Sequence, residues 1–171
     1  MFMRTTLALL SGAILIAGDA HAQSGGWSFE RLVDPITDEV RGIAVVTSGE
    51  YSLVLKCDYG GEGVYADLYR RRARQASQLY GATTRRPTTT TSIIERVDQE
   101  EPRSNTWIGD SGEYLQGSNE TRSFAAKLLT GRRLALRIPN YSRSDDVIFS
   151  LVGSSNAITS VYRACRQPIP R

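Results

Sequence analysis

Tyr51–Cys57 reads YSLVLKC, and its alternation decides the fold. In an extended chain successive side chains point to opposite faces, so Tyr51, Leu53, Leu55 and Cys57 share one face while Ser52, Val54 and Lys56 share the other. A helix would scatter these residues around its girth. A strand gathers them into an apolar face that ends in a cysteine. The same period recurs downstream, where Arg133–Ile138 points Leu134, Leu136 and Ile138 inward and Arg133 and Arg137 outward. Val147, Phe149 and Leu151 repeat it after the polar run NYSRSDD at 140–146. These two segments predict a hairpin with a long loop.

Further strands are expected around Trp27–Val33, with Trp27, Phe29 and Val33 on one face, in the β-branched run Gly42–Thr47, and at Thr91–Val97. Between the first two lies Asp34-Pro35-Ile36-Thr37-Asp38. Pro35 fixes φ and the Asp side chains can accept from nearby amides, so this is turn chemistry. A calcium site of Asp34, Asp38 and Glu39 is the sharper alternative, but it lacks the alternating oxygen ligands of a calcium loop. Two helices are signalled. Thr121–Thr130 places Phe124, Ala125, Leu128 and Leu129 on one stripe before Gly131, and the segment after Gly153-Ser154-Ser155 spaces Ile158, Val161, Tyr162 and Cys165 at i, i+3, i+4, i+7.

The first residues, MFMRTTLALLSGAILIAGDAHAQ, hold one Arg, an apolar run from Leu7 to Ala17, and Ala20-His21-Ala22 as small-x-small. This is the pattern of a secretory signal peptide over residues 1–22, cut after Ala22. An uncleaved anchor is the alternative, although the run falls short of the roughly 20 apolar residues of a strong span. Residues 23–171 are then a chain of about 150 residues, the size of one domain. No later segment is apolar enough to span a membrane.

Maturation also bounds the chemistry. The stretch WIGDSGE at 107–113 contains GDSG, the letters around the nucleophile of chymotrypsin-like serine proteases, and Ser111 would need a base to remove its proton. The only histidine in the chain is His21, which leaves with the signal. A Ser-Lys variant would need Lys56 or Lys127, the only two lysines, and neither sits in a Ser-x-x-Lys spacing. Ser111 is therefore read as a turn residue between Gly109 and Gly112. His-ligated zinc and His proton shuttles fall with the protease, and no cofactor or metal signature is present.

Cys57 and Cys165 are the only cysteines. In an oxidising compartment an even count points to pairing, here with one possible connectivity, and the alternative is two separate buried thiols. A bridge would staple the C-terminal helix onto the core face of the Tyr51–Cys57 strand.

The cations are nineteen Arg against two Lys, for a net charge of +3. From Leu68 to Ile94 there are six Arg and no acid: Arg70, Arg71, Arg72, Arg74, Arg85 and Arg86. The segment Tyr65–Thr91 satisfies two templates, since Val64, Ala66 and Leu68 alternate as in a strand while Tyr65, Leu68, Tyr69, Ala73, Ala76, Leu79 and Tyr80 follow a helical stripe. Its second half is Thr-rich and broken by Pro87. The bland reading is a solvated excursion at about 70–91. The functional one is a contact with an anionic envelope polymer or lipid headgroups, or with an acidic envelope protein. Nucleic acid is not expected of an exported chain.

The order of marker residues resembles the VasI (TagO) family of exported proteins associated with bacterial type VI secretion. The resemblance is carried by Trp27, Asp34-Pro35, Thr37-Asp38, Leu55-Lys56-Cys57, Val64-Tyr65-Ala66-Asp67, Arg96-Val97-Asp98, Trp107 with Asp110, and Phe149-Ser150-Leu151-Val152-Gly153. It implies a periplasmic accessory protein with a small β-rich domain, and it supplies no catalytic residue.

The fold expected is a mainly β, antiparallel, sandwich-like domain of six to eight strands, with a short internal helix and a C-terminal helix tied by Cys57–Cys165. The function expected is that of a non-enzymatic periplasmic accessory or binding module of the cell envelope. The alternative is a carboxylate-dependent glycan hydrolase, which needs two acids and no histidine. Asp58 with Glu62, or Asp98 with Glu100, are its candidates.

Overall fold

The computed structural model describes residues 26–57, 63–70, 89–110, 113–116, 118–140 and 142–171. Nine strands run in the order β1 (Ser28–Val33), β2 (Val40–Ser48), β3 (Tyr51–Lys56), β4 (Tyr65–Tyr69), β5 (Thr90–Val97), β6 (Arg103–Asp110), β7 (Glu113–Gln116), β8 (Arg133–Asn140) and β9 (Arg143–Ser150). Helix α1 (Ser118–Thr130) precedes β8, and α2 (Ser154–Ala164) follows β9. All nine strands form one antiparallel sheet, ordered β1-β2-β3-β4-β7-β6-β5-β8-β9.

The sheet curls until β2, near one end of the order, packs on β9 at the other. Right-handed strand twist accumulates across so many strands, and the curl lets one apolar face wrap a common core. Trp27 pins the closure by donating its indole N–H to the Ser150 carbonyl at 3.1 Å. The enclosed core holds Leu53, Leu55 and Cys57 from β3, Ala66 and Leu68 from β4, Leu134, Leu136 and Ile138 from β8, and Val147 and Phe149 from β9. Trp107 and Phe124, both fully buried, meet edge to face with ring centroids 5.9 Å apart. This geometry suits the aromatic quadrupoles.

Both helices lie against the core face. Helix α2 packs on β1, β2 and β3, and α1 packs on α2 and β4. The approach of α2 to β2 needs Gly42, where a Cβ would stand 3.0 Å from Ala164 Cβ and 3.1 Å from Val161 Cα. The disulfide Cys57–Cys165 joins the end of β3 to the end of α2, with Cα atoms 5.9 Å apart, and Gly42 N–H donates to Cys57 Sγ at 3.4 Å. The expected staple is therefore present, and both cysteines are buried.

Val33 keeps the face of Phe29 in the β1–β2 register, but at the strand's end it is 43 % exposed, while Trp27 and Phe29 pack against the main core and Leu32 against a second cluster. Two expectations are corrected. Among the described residues the strands number nine rather than about six to eight, because the four-residue β7 is too short to show a period. The 140–146 run is not a long loop, for the register pairs Asn140 with Arg143, leaving only Tyr141 and Ser142 between β8 and β9. Its polar side chains find partners as strand residues: Arg137 donates twice to Asp146, at 2.7 and 2.8 Å, and Asn140 donates to Asp145 at 2.9 Å.

That second cluster, Ile43, Val45, Val54 and Tyr69, occupies the opposite face of β2, β3 and β4. Beside it the chain buries a charge: Asp67, 3 % exposed, accepts from the Tyr69 hydroxyl at 2.7 Å and lies 2.5 Å from Lys56 Nζ. On the core face Glu95, 2 % exposed, pairs with Lys127 of α1 at 3.3 Å. The two lysines of the chain thus each neutralise a buried carboxylate.

Candidate functional site

The GDSG stretch is structural in what it shows. Gly109 takes φ +148°, and a Cβ there would stand 2.0 Å from the Glu113 carbonyl oxygen of the neighbouring strand. Thr91 Oγ1 also donates to the Gly109 carbonyl at 2.6 Å, locking β6 beside β5. Ser111 lies outside the described residues. Gly109→Ala is expected to lower stability by at least about 2 kcal/mol, because the backbone of β7 must move or β6 must unpair. Urea unfolding of the variant checks this.

Two other acids singled out from sequence, Asp34 and Asp98, have structural duties. Asp34 Oδ1 accepts from the amides of Ile36 and Thr37 at 2.8 and 3.0 Å, and these bonds, Thr37 first, hold its pKa below the ordinary value. Among the described residues no three acids, cysteines or histidines gather in a metal-holding group. Asp98 accepts from the Arg132 and Arg133 amides, tying the β5–β6 turn to the start of β8. Asp58 and Glu62 lie outside the described residues.

Of the six arginines expected to contact a partner, Arg70 is described, and Arg71, Arg72, Arg74, Arg85 and Arg86 lie outside the described residues. Arg70 stands just past β4, with Nε 3.6 Å from Glu50 Oε2 and Nη2 3.9 Å from Asp145 Oδ2. It borders a cleft of about 310 Å³ between the β2–β3 turn and the β8–β9 hairpin. A larger open hollow of about 680 Å³ lies against Arg122, Pro168, Ile169 and Arg171, where Arg122 already donates to the Pro168 carbonyl at 3.1 Å.

The cleft is assembled from ends of strands. Gly49 turns the chain at φ +57°, with open space where a Cβ would be, and delivers Glu50 and Tyr51 to its rim. The curl of the sheet then lays β9 against β2, beside β3, so that the Tyr51 hydroxyl donates to Asp145 Oδ2 at 2.7 Å. Asn140 adds a second donor to the same oxygen, at 2.9 Å. Among the described residues the nearest ion-pair partner of Asp145 Oδ1 is Arg143 Nε, at 3.7 Å, which is beyond bonding distance. Tyr114 supports the hairpin from below by donating its hydroxyl to the Pro139 carbonyl at 3.2 Å.

Protonation follows from these bonds. Asp145 is held below its ordinary pKa of 3.8, chiefly by the Tyr51 hydroxyl and then by Asn140, Arg70 and Arg143. Tyr51 is pushed well above 10.0, first by burial and then by its bond to Asp145. A carboxylate whose native pKa is lowered contributes stability in full above about pH 4, and loses it as pH falls through the native value. A phenol whose native pKa is raised contributes in full below about pH 10 and loses it above. Asp145→Asn should flatten the acid limb of a stability–pH curve and Tyr51→Phe the alkaline limb, each read from urea midpoints across pH. A general acid for glycoside cleavage requires a raised carboxyl pKa. Asp145 moves the other way.

Sequence reasoning missed Asp145, Tyr51 and Glu50 as members of one site. Asp145 sat in a run read as loop, and Tyr51 in a strand read only for its core face. Among the described residues no helix is long and apolar enough to cross a membrane. Comparison with protein families, curated proteins and solved structures finds no match to this chain.

Proposed function

We propose that this protein is an exported, non-enzymatic accessory or binding module of the bacterial cell envelope, with the basic stretch from Arg70 to Arg86 as its contact surface. The observation that carries the reading is Arg70. The first residue of that stretch, just past the end of β4, stands at the rim of the cleft beside Glu50 and Asp145. Six guanidiniums in a run without acids suit an anionic surface, either an envelope polymer or an acidic envelope protein.

The buried disulfide supports an oxidising compartment, and the signal-like first 22 residues support export. The resemblance to the VasI family adds the periplasm, and type VI secretion as the setting.

The test is a crosslinked pull-down from the periplasm with the full chain and with a variant carrying Gln at Arg70, Arg71, Arg72, Arg74, Arg85 and Arg86. The reading predicts envelope components captured by the first and lost with the second. Capture unchanged by the six substitutions would overturn it.

A further inference from the structure

We infer that the cleft between the β2–β3 turn and the β8–β9 hairpin binds a sugar ring through its hydroxyl groups. The cleft rests on geometry separate from the basic stretch, and shares with it only Arg70. Three carboxylates and two guanidiniums border it: Glu50, Asp145 and Asp146 against Arg70 and Arg143. An anion would meet the excess of acids. A bare cation would meet two guanidiniums standing within 4 Å of the carboxylates.

A neutral polyol suits both sets at once, because each hydroxyl donates one proton and accepts on its lone pairs. The groups that would engage it are incompletely used. Among the described residues Asp145 Oδ1 accepts no hydrogen bond, Glu50 is 77 % exposed at its side chain, and Arg143 is 72 % exposed with its nearest acid at 3.7 Å. Adjacent ring hydroxyls can therefore donate to Asp145 Oδ1 and accept from Arg143 without breaking an existing bond.

The carboxylate is also pre-oriented. Tyr51 and Asn140 both hold Oδ2, so the plane of Asp145 is set before a ligand arrives. Tyr51 acts here as a positioning residue. Ile148, 48 % exposed, borders the same cleft and offers an apolar contact for ring carbons. The volume of about 310 Å³ is at the small end of ligand sites, which suits one or two rings at the end of a chain.

The experiment titrates the full mature chain with chitotriose, maltotriose and cellotriose, following amide shifts by NMR. The inference expects at least one trisaccharide to bind with Kd of about 1 mM or tighter, with shifts centred on Gly49, Glu50 and Asp145. Arg143→Ala should weaken binding at least fivefold. Tyr51→Phe should also weaken it, while a variant with Gln at Arg71, Arg72, Arg74, Arg85 and Arg86 binds unchanged. Loss of binding in that five-residue variant alone would assign the sugar to the basic stretch and overturn the inference. No shifts with any trisaccharide at 10 mM, or binding indifferent to Arg143→Ala, would overturn it too. Neither result touches capture through the arginines.

Discussion

Replacing Cys57 and Cys165 together by Ala should cost about 4 kcal/mol, and about 5 kcal/mol is the ceiling. The bridge closes a sequence separation of 108 residues, so its loss frees most of the folded chain in the unfolded state. Three features keep the effect near that figure. The sulfurs lie where α2 meets β3, both cysteines are buried, and Gly42 N–H donates to Cys57 Sγ; the variant loses packing as well as the constraint. For a chain of this size the melting temperature should fall by roughly 10 to 15 °C. The same shift should follow when the native protein is unfolded in urea with a strong reductant present. A double variant that melts within about 3 °C of the native protein would mean that α2 is held by its apolar stripe alone.

Lys56→Met should destabilise by about 3 to 5 kcal/mol, more than a surface lysine could. Its ammonium is the cation beside Asp67, whose carboxylate is 3 % exposed and has one oxygen, Oδ1, without a hydrogen bond. Removing the lysine leaves a buried carboxylate that, among the described residues, accepts from the Tyr69 hydroxyl and has no cation in an ion pair with it. The double variant Lys56→Met/Asp67→Leu should recover most of the loss, since an apolar pair of similar volume removes both desolvation costs beside Val54 and Ile43. Urea unfolding of the two single variants and the double variant gives the coupling directly. Additive losses in the double variant would show that the ion pair is not the source of the effect.

The strand face of Tyr51–Cys57, the β8 alternation and the helical stripe ending at Cys165 were legible because each is a local period that burial reinforces. The Cys57–Cys165 bridge followed from compartment and count. What the sequence hid depends on register. In β9 the residues Arg143, Ser144, Asp145 and Asp146 look like a loop, and they become strand by pairing with β8, with Tyr51 and Asn140 satisfying Asp145 and Arg137 satisfying Asp146. Lys56 and Asp67 are eleven positions apart, and only the antiparallel pairing of β3 with β4 makes them neighbours. The cleft was invisible for the same reason: Glu50, Arg70 and Asp145 come together when the sheet curls and β2 meets β9. Between Val64 and Tyr69 the strand and helix templates were tied, and the strand prevails because β3 and β7 pair on its two sides.

The central claim is that the arginine stretch beginning at Arg70 mediates association with the envelope. It is tested most directly by cosedimentation of the protein with isolated envelope fractions across sodium chloride. Screening of exposed charges predicts association that weakens about tenfold between 0.05 and 0.5 M salt. In the variant with Gln at all six arginines, binding should already be weak at low salt and flat across the range. Association of equal strength in the two proteins, with the same salt response, would contradict the claim.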